Sequence, residues 1–217
     1  MDAYKHLVEG YRHFHDRYVS GEFDSYRKEA SDKQSPAVLV VGCCDSRVNP
    51  GVLTEAGLGE IFVVRNVANI VPPYQEGPLT HHSTSAAIEY GVNVLHVEHI
   101  IILGHSNCGG IRALMTGAPE VPENSYSFLA NWIEVVAEAR NTVRTIMEGA
   151  AMEKQVAACE KEALLISLEN LKGFPFVKAA MDEGRLQLHG WHFDITSGEI
   201  LAWEPNGGPF IPLSQKG

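Results

Sequence analysis

The chain has 217 residues, 45% of them hydrophobic and 20% charged, enough for one large α/β domain with a substantial core. Acidic residues outnumber basic ones 27 to 17, which disfavours nucleic acid, since phosphate binding needs clustered Lys and Arg. A small anion in a local pocket is not excluded by that balance. No run nears the roughly 18 apolar residues of a membrane span. Met1-Asp2-Ala3-Tyr4-Lys5-His6 leads into an amphipathic pattern and not an apolar signal core, so the expectation is a cytoplasmic protein without a membrane partner.

Ala3, Leu7, Tyr11, Phe14 and Tyr18 recur at helical spacing and predict an amphipathic helix over 3–19. Pro36 introduces Ala37-Val38-Leu39-Val40-Val41, a continuous apolar run of the kind found in strands buried on both faces. Ile61-Phe62-Val63-Val64 and Ile100-Ile101-Ile102-Leu103-Gly104 are two more such runs, with a helix expected between them over Thr84–Val97. A short helix near Ile111–Met115 follows Gly109-Gly110. Ser125 is a candidate cap for a helix over Phe128–Met147, and another helix is expected at 153–171. Residues 186–195 alternate, turn at Ser197-Gly198 and return through Ile200-Leu201-Ala202-Trp203 as a hairpin or edge strand pair. The expected fold is a single α/β domain over 1–217, a mainly parallel central β-sheet flanked by helices.

The four cysteines form a poor disulfide framework: Cys43 and Cys44 are adjacent, Cys108 lies near His105, and Cys159 stands alone in a helical stretch. Two strand ends hold the informative residues, Gly42-Cys43-Cys44-Asp45-Ser46-Arg47 and Gly104-His105-Ser106-Asn107-Cys108-Gly109-Gly110. In an open parallel sheet, ligand sites form where strands deliver their carboxyl ends to a common crevice. Two thiolates and an imidazole would converge there. That donor set suits zinc and leaves a fourth position open, whereas magnesium and calcium want oxygen ligands. Beside it, the Arg47 guanidinium would keep the Asp45 carboxylate ionised and fix its orientation. The competing readings are buried core residues and an ordinary salt bridge at a helix start.

At these residues the chain resembles the β-class carbonic anhydrases. The C-x-D-x-R motif stands as Cys43 to Arg47 and the H-x-x-C-G-G motif as His105 to Gly110. Phe62-Val63-Val64-Arg65-Asn66-Val67-Ala68-Asn69-Ile70-Val71-Pro72-Pro73, Ser85-Ala86-Ala87-Ile88-Glu89-Tyr90 and the closing His189-Gly190-Trp191-x-x-Asp194 are also similar to the family. Residues 120–180 match only in character. The resemblance implies reversible hydration of carbon dioxide to bicarbonate by hydroxide held on one Zn2+ per chain. Cys43, His105 and Cys108 would be its ligands, with Asp45 and Arg47 as a catalytic dyad and Asp45 able to take the fourth position in a closed state. Gln34 would donate to substrate, and Phe62, Val67 and Tyr90 would line the apolar side of the pocket. Where some branches carry Trp three residues before the first ligand this chain has Val40, which together with Gln34 points to an open, water-ligated zinc.

The family's usual shuttle histidine would fall at Val94, so among His81, His82, His96 and His99 no proton shuttle is assigned. The resemblance further implies a homodimer or homotetramer, for which the apolar stripe of the first helix is suited. Two rivals remain at this level. One is a hydrolase of carbonyl sulfide or carbon disulfide on the same scaffold. The other is a non-catalytic zinc-stabilised or bicarbonate-sensing module.

Overall fold

The computed structural model describes residues 2–24, 33–76, 82–117, 127–205 and 208–215. The chain divides into two compact units, Met1–Ser35 and Pro36–Gly217. In the first, helix α1 (Ala3–Val19) is capped by Asp2, whose Oδ1 accepts the Tyr4 N–H at 2.9 Å. None of its residues is buried within the unit, and Tyr4, Leu7, Tyr11 and Phe14 form an exposed apolar ridge at helical spacing. At its end Phe14, Tyr18 and Phe23 pack ring to ring, with Phe14 and Phe23 centroids 5.4 Å apart.

The second unit is built on a six-stranded sheet in the order β2-β1-β3-β4-β5-β6. β1 (Val38–Cys43), β2 (Ile61–Asn66), β3 (His99–His105) and β4 (Gln187–Phe193) run parallel, and β5 (Ile200–Trp203) and β6 (Phe210–Pro212) complete it antiparallel. β1 and β3 are neighbouring interior strands, and their apolar runs are buried on both faces as expected. β2 has the same composition but only half-buried or exposed residues, because it lies at an edge. The expected terminal hairpin is β4–β5. However, β4 is an interior strand pairing with β3, and the edge falls to β6.

The helices of this unit are α2 (Pro50–Thr54), α3 (Ser83–Glu89), α4 (Gly109–Thr116), α5 (Phe128–Ile133), α6 (Ala137–Ile146), α7 (Met152–Lys172) and α8 (Pro175–Asp182). Leu39, Val41, Ile100 and Ile102 on one face of the sheet pack with Ile88 of α3, Leu164 and Leu168 of α7 and Val177 of α8. On the other face Val40, Ile101, Leu103 and Phe193 pack with Val48 and Leu53. Several boundaries depart from the periodicity. The helix expected to Val97 leaves α-geometry after Glu89 and continues as a single π-turn, Tyr90–Val94. The helix over 128–147 is broken by a 3-10 turn at Glu134–Val136 and is capped by Ser127, whose Oγ accepts the Ala130 N–H; Ser125 lies outside the described residues. α2 and α8, each with proline in its first turn, were not anticipated.

Candidate metal centre

β1 and β3 pair in parallel with Gly42 opposite Leu103, so Cys43 and His105, their last residues, emerge side by side. Beyond His105 the chain turns back through Asn107, in the left-handed region at φ +58°, and returns Cys108 as the cap residue of α4. The sulfurs of Cys43 and Cys108 and a ring nitrogen of His105 all lie within 4.8 Å of one another, and all three residues are buried. His105 Nδ1 sits 2.9 Å from the Ser106 carbonyl, which can only accept, so Nδ1 carries the proton. Its Nε2 is left buried with no hydrogen-bond partner among the described residues. A lone pair so placed between two thiols is what a metal ligand presents before its metal. Two sulfurs and one imidazole fit zinc, and no carboxylate joins the gathered donors among the described residues.

The thiols are electrostatically unequal. A hydrogen bond from Cys108 holds Cys43 down to about 4 against its burial, helped by His105 and the N–H groups of Asp45 and Ala68. The same bond, with burial, pushes Cys108 up, so without metal the pair keeps one proton. Burial lowers the His105 pKa, but the Cys43 sulfur, the Ser106 carbonyl and the charge of Asp45 outweigh it and the net shift is upward.

Asp45 and Arg47 form the expected fork: Nε donates to Oδ1 at 2.9 Å and Nη2 to Oδ2 at 2.7 Å. The Asp45 carboxyl is thereby held well below the usual carboxylate range, chiefly by Arg47. Nη2 of Arg47 also reaches the Asn107 carbonyl at 3.3 Å, tying the dyad to the loop that carries Cys108. Arg65 of β2, which sequence reading passed over, donates to the carbonyls of Cys43, Asp45 and Val48 at 2.7–2.8 Å and holds the loop that carries the dyad. Below the cluster, Ala68 and Asn69 both take positive φ, 66° and 49°. α4 presses close to this turn: a Cβ on Gly110 would lie 2.8 Å from Val67 Cγ1 and 3.0 Å from Ala68 Cβ.

The other expected site residues are placed differently. Val67 is beside Gly110, with its carbonyl accepting the Trp132 indole N–H at 2.7 Å. It lines a cleft of about 950 Å³ with Cys44, Asn66, His82 and Trp132. Phe62 and Tyr90 pack on each other at 5.8 Å. Phe62 pairs with Leu39, four residues before the Cys43–Asn66 pair, and so lies about 13 Å back along the strand. Gln34 belongs to the N-terminal unit and is exposed. Cys44 is exposed, while Cys159 is core, its thiol pushed up to about 12 by burial. His96 and His99 line a separate cleft of about 630 Å³ where β3 begins, and His81 lies outside the described residues. Glu160 and His192, both buried and also missed, stand 3.4 Å apart with Glu160 against Cys108. A charged residue among the apolar positions of α7 was the only signal for Glu160, and none marked His192 on β4.

Residues 38–200 match the family model described as carbonic anhydrase. The chain is 38% identical to β carbonic anhydrase 3 of Arabidopsis thaliana over 94% of its own length and 78% of the relative's. Among solved structures it is similar to the β-carbonic anhydrase CcaA, with a TM-score of 0.85 at 29% identity, covering 96% of this chain and 98% of that one. It is also similar to a structure from a study of two tetrameric β-carbonic anhydrases of Sordaria macrospora, with a TM-score of 0.81 at 26% identity, covering 96% and 100%. With its metal corner and its whole sheet matched in this way, the chain belongs to the β-class carbonic anhydrases.

Proposed function

We propose that this chain catalyses the zinc-dependent, reversible hydration of carbon dioxide to bicarbonate and a proton, with Cys43, His105 and Cys108 holding the metal. The observation that carries the reading is the gathering of two buried sulfurs and an unpartnered imidazole nitrogen within 4.8 Å. A zinc ion held there supplies a Lewis acid that lowers the pKa of water. The residues around it do the rest. Asp45, kept ionised and aimed by Arg47, has only acceptor oxygens and orients a proton donor in front of the metal position. Its absence from the gathered donors supports an open centre over an Asp45-ligated one.

The chain acts as one enzyme domain over 1–217, located in the cytoplasm. Among the described residues no helix is long and apolar enough to cross a membrane. It works as a homodimer or homotetramer, supported by the apolar ridge of α1 and by the tetrameric relatives. Val67 lines the substrate side of the centre. Phe62 and Tyr90, which pack on each other, serve the same pocket from a second copy, because Phe62 is too far back along β2 to reach the centre of its own chain. Gln34 is the donor to a substrate oxygen.

Stopped-flow hydration on metal-verified protein tests the function. Fast hydration in the parent and loss of rate with zinc retained in Asp45→Asn support it. A zinc-loaded parent inert from pH 7 to 9 contradicts it and directs the assay to carbonyl sulfide.

A further inference from the structure

Glu160, 3% exposed, is the one charged residue on the buried face of α7, which also carries Val156, Cys159, Leu164 and Leu168. Removing a carboxylate from water is costly unless its partners compensate. Two groups meet it. Oε1 accepts the backbone N–H of Cys108 at 2.9 Å, and Oε2 faces Nε2 of His192 at 3.4 Å. The fold brings them together through Gly190. A Cβ there would lie 2.7 Å from Leu164 Cδ2, so α7 seats closely on β4. Two residues on, on the same face of the strand, His192 meets Glu160 one helical turn before Leu164. Neither ring nitrogen of His192 has a hydrogen-bond partner among the described residues. Oε2 of Glu160 is in the same state.

The placement acts on one ligand. Cys108 caps α4, so its N–H precedes the helical ladder and needs an acceptor from elsewhere. It follows Asn107 in a left-handed turn, and the direction of its Cα–Cβ bond depends on how its amide is held. We propose that Glu160, backed by His192, is a positioning residue of the metal centre: its carboxylate fixes the Cys108 amide and thereby aims Cys108 Sγ at the metal. The acceptor comes from 52 residues away, so the hold on this amide is set by the packing of α7 and not by the local turn. The inference rests on the reading of Cys43, His105 and Cys108 as metal donors.

The test is zinc affinity by chelator competition, with the absorption spectrum of the cobalt(II)-substituted protein and the thermal midpoint recorded beside it. Glu160→Leu keeps the volume of the side chain and is expected to weaken zinc about 10- to 100-fold, the usual effect of removing an outer-shell partner, and to alter the cobalt spectrum. Glu160→Gln, whose amide oxygen still accepts from Cys108, is expected to recover affinity to within a few-fold. His192→Gln, which leaves the Cys108 bond in place, is expected to fall between them. Parent-like zinc affinity and cobalt spectra in Glu160→Leu, whatever its midpoint, overturn the proposal. Cys108→Ser separates the two levels. If it loses zinc while the Glu160 variants keep it, only the positioning role fails; if it too keeps parent affinity, the donor assignment fails and takes the positioning role with it.

Discussion

Strand β3 begins and ends with a histidine, and the two ends have opposite fates. At its start, His99 Nδ1 lies 3.2 Å from His189 Nε2 of the neighbouring strand, and the two imidazoles share a hydrogen bond. His99 borders a cleft with Glu98 and Arg185. At its end, His105 is buried, its Nδ1 spent on a backbone carbonyl and its Nε2 left over between two sulfurs. The residue type is the same. The difference lies in the backbone beyond the strand: after His105 the chain doubles back within three residues to begin α4, while β1 delivers Cys43 alongside. What sets His105 apart is that its second nitrogen is buried without a hydrogen-bond partner beside two sulfurs, and no such cluster of donors gathers at the far end of the strand among the described residues.

The contrast can be broken in graded steps. Cys108→Ser has the largest expected effect: it removes a thiolate from a three-donor site, and zinc content and hydration are expected to be lost together, as read by metal analysis and stopped flow. Retention of both would place the centre elsewhere. Gly110→Ala drives a methyl into Val67 and Ala68, with an expected cost of about 2 kcal/mol in chemical denaturation. An unchanged midpoint would mean that the strained turn at Ala68 and Asn69 gives way easily.

Smaller still is the pH dependence set by the dyad. The Asp45 carboxyl is depressed in the folded state by Arg47, so its contribution to stability is full above the ordinary carboxylate value of about 3.9 and is lost as pH falls through the depressed value. In metal-free protein, the stability difference between the parent and Arg47→Ala should be level from pH 5 to 8 and shrink only below about pH 4. A difference already gone at pH 6 would show that the fork does not hold Asp45 ionised. The smallest effect belongs to the other end of β3. His99→Gln should leave zinc affinity and hydration at parent values and change stability by about 1 kcal/mol or less. Loss of metal in that variant would remove the distinction between the two ends.

Much of this was legible from residue order alone. The apolar runs at 38–41, 61–64 and 100–103 marked three parallel strands because short continuous apolar stretches suit a covered sheet, although only the first and third proved buried on both faces while the second took an edge. Cys43, Asp45, Arg47, His105 and Cys108 were legible because each lies within a few residues of a strand end, where local chemistry and chain direction suffice to place it. Periodicity also marked α1, but α3 was overextended, since nothing in the residue pattern announces the change to a π-turn at Tyr90–Val94. α8 escaped notice because Phe174-Pro175-Phe176 reads as a break, whereas proline in the first turn starts the helix.

What the residue order pointed to by itself was the candidate donors, the Asp45–Arg47 pair and the parallel direction of the first three strands, all set by local pattern and by spacing of a few residues. Tertiary structure alone decided that β4 is interior, that Arg65 clamps the carbonyls of the Cys43–Val48 loop, and that Glu160 meets Cys108 and His192. These contacts join residues 17 to 52 positions apart, or neighbouring strands and helices whose approach is set by packing against small residues such as Gly190. No local period encodes such a meeting; it exists only once the sheet has been assembled and α7 has been laid across it.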